Sequence, residues 1–207
     1  MARTKSSKAW LREHVTDPYV RRAQAEGYRS RAAYKLQQIA VRDQLFSAGM
    51  TVVDLGAAPG GWSQIAAKAV APGGHVFALD ILELSPLPAV TCVRGDFSDD
   101  ATLAELDRLL AGRPVDLVLS DMAPNMSGIA TADQARVMVL AEAALDFALK
   151  HLKPQGKLLV KVFQGTGFEA FLRTMRERFR QVMVRKPEAS RSRSSEVYLL
   201  GKGVRNG

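Results

Sequence analysis

"TVVDLGAAPGGWSQIAAKAV", residues 51–70, decides the fold. "TVVDL" (51–55) is an apolar, β-branched run with the length of a buried strand. "GWSQIAAKAV" has the composition and spacing of a helix, and a glycine-rich loop joins the two. Strand, glycine loop and helix in immediate succession are the opening unit of an α/β domain. Working outward, the same alternation continues. Upstream, "SRAAYKLQQIAVRDQL" reads as a helix that Ser30 can cap, with Ala33, Leu36, Ile39 and Ala40 at helical spacing. Downstream come strands "HVFALD" (75–80) and "AVTCVRG" (89–95), then helix "DDATLAELDRLLAG", capped by Asp99 or Asp100 and stopped by Gly112. Strand "VDLVLSD" (115–121), a helix over 131–152 ended by Pro154, strand "KLLVKVF" (157–163) and a helix over 167–179 follow. "QVMVRK" and "EVYLLG" are late strands joined by a basic loop. Apolar strands alternating with helices predict a doubly wound, parallel sheet covered on both faces. Ligands in such folds bind outside the carboxyl ends of the strands.

The 207 residues suit one domain, expected over 31–207 behind a polar, irregular, basic segment 1–30 with a short helix around Lys8 to His14. No apolar run approaches the ~20 residues of a membrane helix, and the first ten residues lack the apolar core of a signal peptide. One cysteine, Cys92, permits no internal disulfide, and with three scattered histidines it argues against a zinc site; no metal is expected. A reducing cytoplasm fits. The net charge is +8, and residues 1–42 carry ten Lys/Arg against three Asp/Glu. A second basic cluster runs from Arg173 to Arg193. Positive charge gathered in two segments points to a polyanion, most often nucleic acid.

The glycine loop spaces Gly56, Gly60 and Gly61 as G-x-x-x-G-G, unlike the G-x-G-x-x-G of dinucleotide enzymes, and no Lys-Ser/Thr pair makes it a P-loop. Asp54 precedes the first glycine, where a carboxylate suits an amino-bearing ligand better than a pyrophosphate. Asp80 ends the second strand, 24 residues after Gly56, where an acidic side chain takes the hydroxyls of a ribose. Asp96 and Phe97 follow the third strand, a pairing able to bond the amino group of an adenine and stack its ring. Successive carboxylates on one rim describe a nucleoside cofactor without phosphates, and S-adenosylmethionine fits.

Asp121 ends the fourth strand in "SDMAPNMSG". It lacks the aromatic that stacks a base in transfer to exocyclic nitrogen. Cys92, inside an apolar strand, reads as core rather than as the nucleophile that transfer to pyrimidine carbon needs. Oxygen, or a less demanding nitrogen, remains as the acceptor. In "LLVKVF", Lys161 interrupts a buried run near the carboxyl end of the fifth strand. An ammonium is costly to bury without a partner or a task. A ribose hydroxyl needs a base, or a cation for its developing negative charge, and a partly buried lysine can be either.

"YRSRAAYKL", "VVDLGAAPGGWSQ", "SDMAPNMSG", "LLVKVFQG" and "KPEASRSRSSEVYLL" together resemble the RlmE/FtsJ (RrmJ) family of ribosomal RNA 2′-O-ribose methyltransferases, over residues 8–202. The resemblance implies a class I S-adenosylmethionine-dependent, Rossmann-like methyltransferase with a seven-stranded, mostly parallel sheet and helices on both faces. It carries the family's Lys-Asp-Lys-Glu tetrad onto Lys35, Asp121, Lys161 and Glu196, and its cofactor contacts onto Gly60, Trp62, Asp80, Asp96 and Asp121. It implies as substrate the A-loop uridine of 23S rRNA within the large ribosomal subunit, with tRNA or another RNA as the rival. Neither DNA nor a membrane is an expected partner, and a cytoplasmic monomer is expected. The two basic segments are expected to straddle the cleft and grip phosphates, and Trp10, Tyr19 and Tyr28 either stack a base or serve the core or the cofactor pocket.

Overall fold

The computed structural model describes residues 17–124, 128 and 130–205; Trp10 and the helix expected over Lys8 to His14 lie outside them. The described elements are α1 (Pro18–Glu26), α2 (Ala32–Asp43), β1 (Thr51–Leu55), α3 (Gly61–Val70), β2 (His75–Asp80), β3 (Val90–Arg94), α4 (Asp100–Leu110), β4 (Val115–Ser120), α5 (Ala130–His151), β5 (Leu152–Phe163), α6 (Phe168–Arg178), β6 (Phe179–Arg185) and β7 (Glu196–Val204). The seven strands form one sheet in the order β3-β2-β1-β4-β5-β7-β6. β1 to β5 run parallel, and β7 runs antiparallel between β5 and β6.

Strand side chains alternate between two cores. Val53, Leu55, Val118, Val160 and Val162 face α4, α5 and α6. Val52, Leu117, Leu119, Leu159, Tyr198 and Leu200 face α2 and α3. With helices on both faces, the central strands are largely apolar on both sides, as their near-continuous apolar runs predict. The strand order reverses between β1 and β4, so their carboxyl ends open a crevice where the chain departs to opposite sides.

Several local expectations change. The segment 1–30 is not irregular throughout: Asp17 caps α1 through the Tyr19 N–H, Pro18 occupies its first turn, and Gly27 closes it with a left-handed φ of 74°. Tyr19 and Tyr28 pack around Tyr34 with ring centroids 5.4 and 5.5 Å away, which is the core role. Ser30 does not cap α2, whose cap is Arg31 without a side-chain bond. Its hydroxyl lies instead against Gly61, 2.5 Å from where a Cβ would stand. Asp99 is the cap of α4, and Ala111 turns left-handed one residue before Gly112. Pro154 does not end a helix. α5 stops at His151 and Pro154 falls within β5, where the register jumps from Val115↔Leu152 to Leu117↔Lys157 and a missing N–H breaks no ladder bond. Cys92 is exposed, not core, because β3 is an edge strand. No helix among the described residues is long and apolar enough to cross a membrane.

Candidate active site

The glycine loop lies at the mouth of the crevice. Gly56 has φ 75°, and a Cβ there would stand 2.9 Å from the Met122 backbone. The loop therefore runs against the chain leaving β4, as only glycine allows. Gly60 has φ 105°, and a Cβ would meet the Arg29 guanidinium at 2.8 Å. That guanidinium donates to the carbonyls of Ser85 and Pro86 at 2.8 and 2.9 Å, tying the lip of the loop to the segment after β2. Arg29 was not singled out in the sequence, where it is one arginine among many.

Asp80 accepts the Ala58 N–H on one oxygen and the Leu82 N–H on the other, both at 2.8 Å. Each oxygen keeps a lone pair for a further donor. Asp96 is exposed, and the Ser98 hydroxyl and N–H, both on one oxygen, hold its carboxyl below the ordinary value. Phe97 does not accompany it. It is buried, edge-on to Phe147 at 5.8 Å, and cannot stack an adenine. Trp62 is only 3% exposed, with its indole N–H given to the Ala32 carbonyl at 2.8 Å. Its side chain fastens α3 to α2, so its backbone is what it can offer a ligand. Asp54 is wholly buried: one oxygen accepts the Ser63 hydroxyl at 2.6 Å and the other has no partner. Burial pushes this carboxyl up to about 7; the Ser63 bond opposes the rise, while the charges of Asp121 and Asp80 add to it.

The four tetrad residues converge. Lys161 and Tyr198 are cross-strand partners of β5 and β7, and Phe163 partners Glu196. Lys161 Nζ donates to the Asp121 carbonyl at 2.6 Å and lies 3.1 Å from its Oδ1. Lys35, reaching in from the first turn of α2, donates to both oxygens of Glu196 at 2.7 and 2.8 Å. Lys35, Lys161 and Glu196 are each under a tenth exposed. So the anomaly in the apolar strand is resolved by pairing: two lysines and two carboxylates sum to zero charge, and a buried ion is tolerable only when so matched.

Two further residues complete the cluster. The Tyr198 hydroxyl donates to Asp121 Oδ1 at 3.0 Å and has Glu196 Oε1 at 3.4 Å on its other side, so it stands between the two ion pairs. Burial first, then both carboxylates, raise its phenol well above the ordinary value, so it remains a donor. The Ser190 hydroxyl donates to Glu196 Oε1 at 2.8 Å. Burial alone would raise the Glu196 carboxyl, but Lys35, the Ser190 bond and Lys161 outweigh it and hold the carboxyl below its usual range. The signal for Tyr198 was its place two residues after Glu196 in a strand, hence on the same face.

The basic segments divide. Arg31 pairs with Asp17 at 2.9 Å and donates to the Ala189 carbonyl, and Arg185 forms a bidentate pair with Asp43 at 2.6 and 2.7 Å. Lys186 and the loop to Glu196 follow the carboxyl end of β6, beside the tetrad, whereas Arg176 and Arg178 close α6 at the opposite end of the sheet. The Arg173–Arg193 cluster is therefore not one surface. No group of three His, Cys, Asp or Glu among the described residues is placed to hold a metal.

Known proteins resemble this chain over nearly its whole length. Over 205 residues, 99% of this chain and all of the relative, it is 62% identical to "Ribosomal RNA large subunit methyltransferase E" of Azoarcus sp. (strain BH72). The protein of that name from Chromobacterium violaceum is 58% identical over the same length. Among solved structures, a ribosomal RNA methyltransferase from Plasmodium falciparum superposes with a TM-score of 0.77 at 24% identity, covering 86% of this chain and 98% of that one. A methyltransferase from Streptococcus mutans in complex with SAH superposes at 0.52 and 12% identity, over 83% and 94%; both show the fold. Residues 28–204, nearly every element described above, match the family of FtsJ-like methyltransferases, and to that family this chain belongs.

Proposed function

We propose that this protein methylates the ribose 2′-oxygen of large-subunit ribosomal RNA, with S-adenosylmethionine as donor and the A-loop uridine of 23S rRNA, within the large ribosomal subunit, as acceptor. The observation that carries the reading is Lys161, buried at the carboxyl end of β5 and held by Asp121, with the Lys35–Glu196 pair alongside.

The donor set fits the cofactor. Asp80 has lone pairs for ribose hydroxyls, and Asp96 has an oxygen with no bond among the described residues for an adenine amino group. Gly60 and the first-turn N–H groups of α3, Trp62 included, form a cradle suited to a carboxylate, and Asp121 stands nearest the reacting oxygen. Bound there, S-adenosylmethionine supplies an electrophilic methyl group on a sulfonium.

The residues of this chain handle the oxygen and its proton. Both partners of Lys161 are acceptors, which supports an ammonium with a third N–H left for the substrate. It donates to the 2′-oxygen and Asp121 accepts from the hydroxyl. As the hydroxyl proton passes to the Asp121 carboxylate, Lys161 stabilises the negative charge developing on the oxygen, which takes the methyl group as the methyl–sulfur bond breaks and ends as a neutral ether. Lys35 and Glu196 place the ribose. A monomer acting in the cytoplasm completes the reading.

The test is transfer of labelled methyl from S-adenosylmethionine to large subunits lacking the A-loop modification, mapped by resistance to alkaline cleavage. The parent protein should label that uridine. Lys161→Ala should lose about 100-fold or more in kcat, and Lys161→Arg, which keeps the charge, should retain a measurable part. Transfer undiminished in Lys161→Ala would refute the role given to this lysine, and labelling of a different RNA would move the substrate.

A further inference from the structure

We propose that the groove between the outer face of α2 and the start of the β6–β7 loop binds a nucleotide of the substrate RNA that flanks the methylated one. The inference rests on the RNA substrate proposed above and adds a site outside the tetrad and the cofactor rim.

The groove has a volume of about 480 Å³, with walls from Gln37, Val41 and Arg42 on α2 and Lys186, Pro187 and Glu188 on the loop. That is the size of a small-ligand site. Apolar surface runs along it: Pro187 is buried, and Val41 is 79% exposed, the most exposed large apolar residue among those described. Val184, on the neighbouring edge strand β6, is also exposed at 41%. An apolar surface left open beside a free sheet edge gains by being covered.

Charge selects the occupant. The Arg42 guanidinium makes no hydrogen bond among the described residues, though its charge acts on the neighbouring Asp43, and Lys186 Nζ donates to the carbonyl of Ser194, a neutral group that leaves its charge uncancelled. Arg185 is committed to Asp43, and Glu188 is the one acidic residue on the walls. A planar apolar group carrying a negative charge matches this surface, and a nucleotide is such a group. Bases splayed out of RNA loops stack on guanidinium planes, and lysines meet phosphates as point charges.

Continuity with the reaction site argues for RNA over a peptide. Both walls also furnish the tetrad: α2 carries Lys35, and the β6–β7 loop carries Ser190 and leads into Glu196. Lys35 and Arg42 are seven positions apart on one helix, about 10 Å along its axis. RNA whose ribose reaches Lys161 thus passes the groove within a few nucleotides. A base held there would fix which ribose is presented, a register that phosphate contacts alone set without reading sequence.

The experiment measures methyl transfer to unmodified large subunits by the parent, by Arg42→Glu, and by Lys68→Glu, an equal charge reversal at an exposed position of α3. Arg42→Glu should raise KM for the subunits about 10-fold, the loss of one stacked or charge-paired nucleotide, with kcat and donor affinity unchanged. Lys68→Glu should match the parent. In a Cys92→Ser background, a benzophenone on Val41→Cys should crosslink to ribosomal RNA near the methylated nucleotide. Parent-like KM in Arg42→Glu, an equal rise in Lys68→Glu, or a crosslink to a ribosomal protein would each overturn the inference, the last making the groove a protein contact. A parent that binds S-adenosylmethionine but labels no subunit RNA would instead sink the functional reading, and the groove assignment with it.

Discussion

Asp54 is a carboxyl buried in full, with one oxygen unpartnered among the described residues. Its carboxyl lies near 7 in the folded protein against an ordinary 3.8. A group raised on folding stabilises the protein while protonated: the contribution is whole below the ordinary value and is lost as pH rises through about 7. Stability should therefore fall over that window, at up to about 1.4 kcal/mol per pH unit for one proton. Asp54→Asn keeps an acceptor for Ser63 and removes the titration. Its melting temperature should exceed the parent's at about pH 8 and converge with it only below about pH 4. Identical profiles would mean that Asp54 does not carry the proton. Tyr198 acts differently, separating two carboxylates with a single donor. Tyr198→Phe should cost about 1 kcal/mol of stability, the usual worth of a buried hydrogen bond. Without it Asp121 is less firmly held, so kcat should fall about 10-fold with donor affinity unchanged. Equal loss of donor binding would place Tyr198 at the cofactor instead.

At the scale of elements, α1 shows what was legible and what was not. Asp17-Pro18 is a cap followed by a first-turn proline, a start signal present in the sequence but hidden by the charged run around it. Asp17 also pairs with Arg31, fastening α1 to α2. Asp17→Ala should therefore lower the urea midpoint by an amount equivalent to about 1–3 kcal/mol with the m-value unchanged. An unshifted midpoint would make α1 a bystander. The strands were legible because burial on both faces writes continuous apolar runs; Asp121 and Lys161 stood out as polar residues at strand ends, whereas Lys35, on a helix, and Glu196 came only from the family resemblance. Phe97 and Cys92 misled because a strand's own pattern does not say which neighbour it has: Cys92 is exposed by the edge position of β3, and Phe97 turns beneath the sheet to meet Phe147. Trp62 and Tyr198 depend on contacts with residues 30 and 77 positions away, which no local window contains.

For the molecule as a whole, net charge of +8 predicts RNA affinity that weakens with salt. Among the described residues Arg31 and Arg185 are spent on internal partners, which reduces the cations left there to meet phosphates near the cleft. A modest dependence follows, a loss of about 10- to 100-fold between roughly 50 and 200 mM salt. A steeper slope would bring in basic residues beyond those beside the tetrad. The order of the strands has a consequence in time. β7 threads between β5 and β6, and it brings Glu196 and Tyr198 to lysines that precede it in the chain. During synthesis Lys35, Asp121 and Lys161 leave the ribosome first, and the carboxylate that answers Lys35 follows them. A chain halted or cut before Glu196 can hold much of the sheet yet cannot assemble the four-residue cluster, so that cluster is itself a report that synthesis has passed the start of β7.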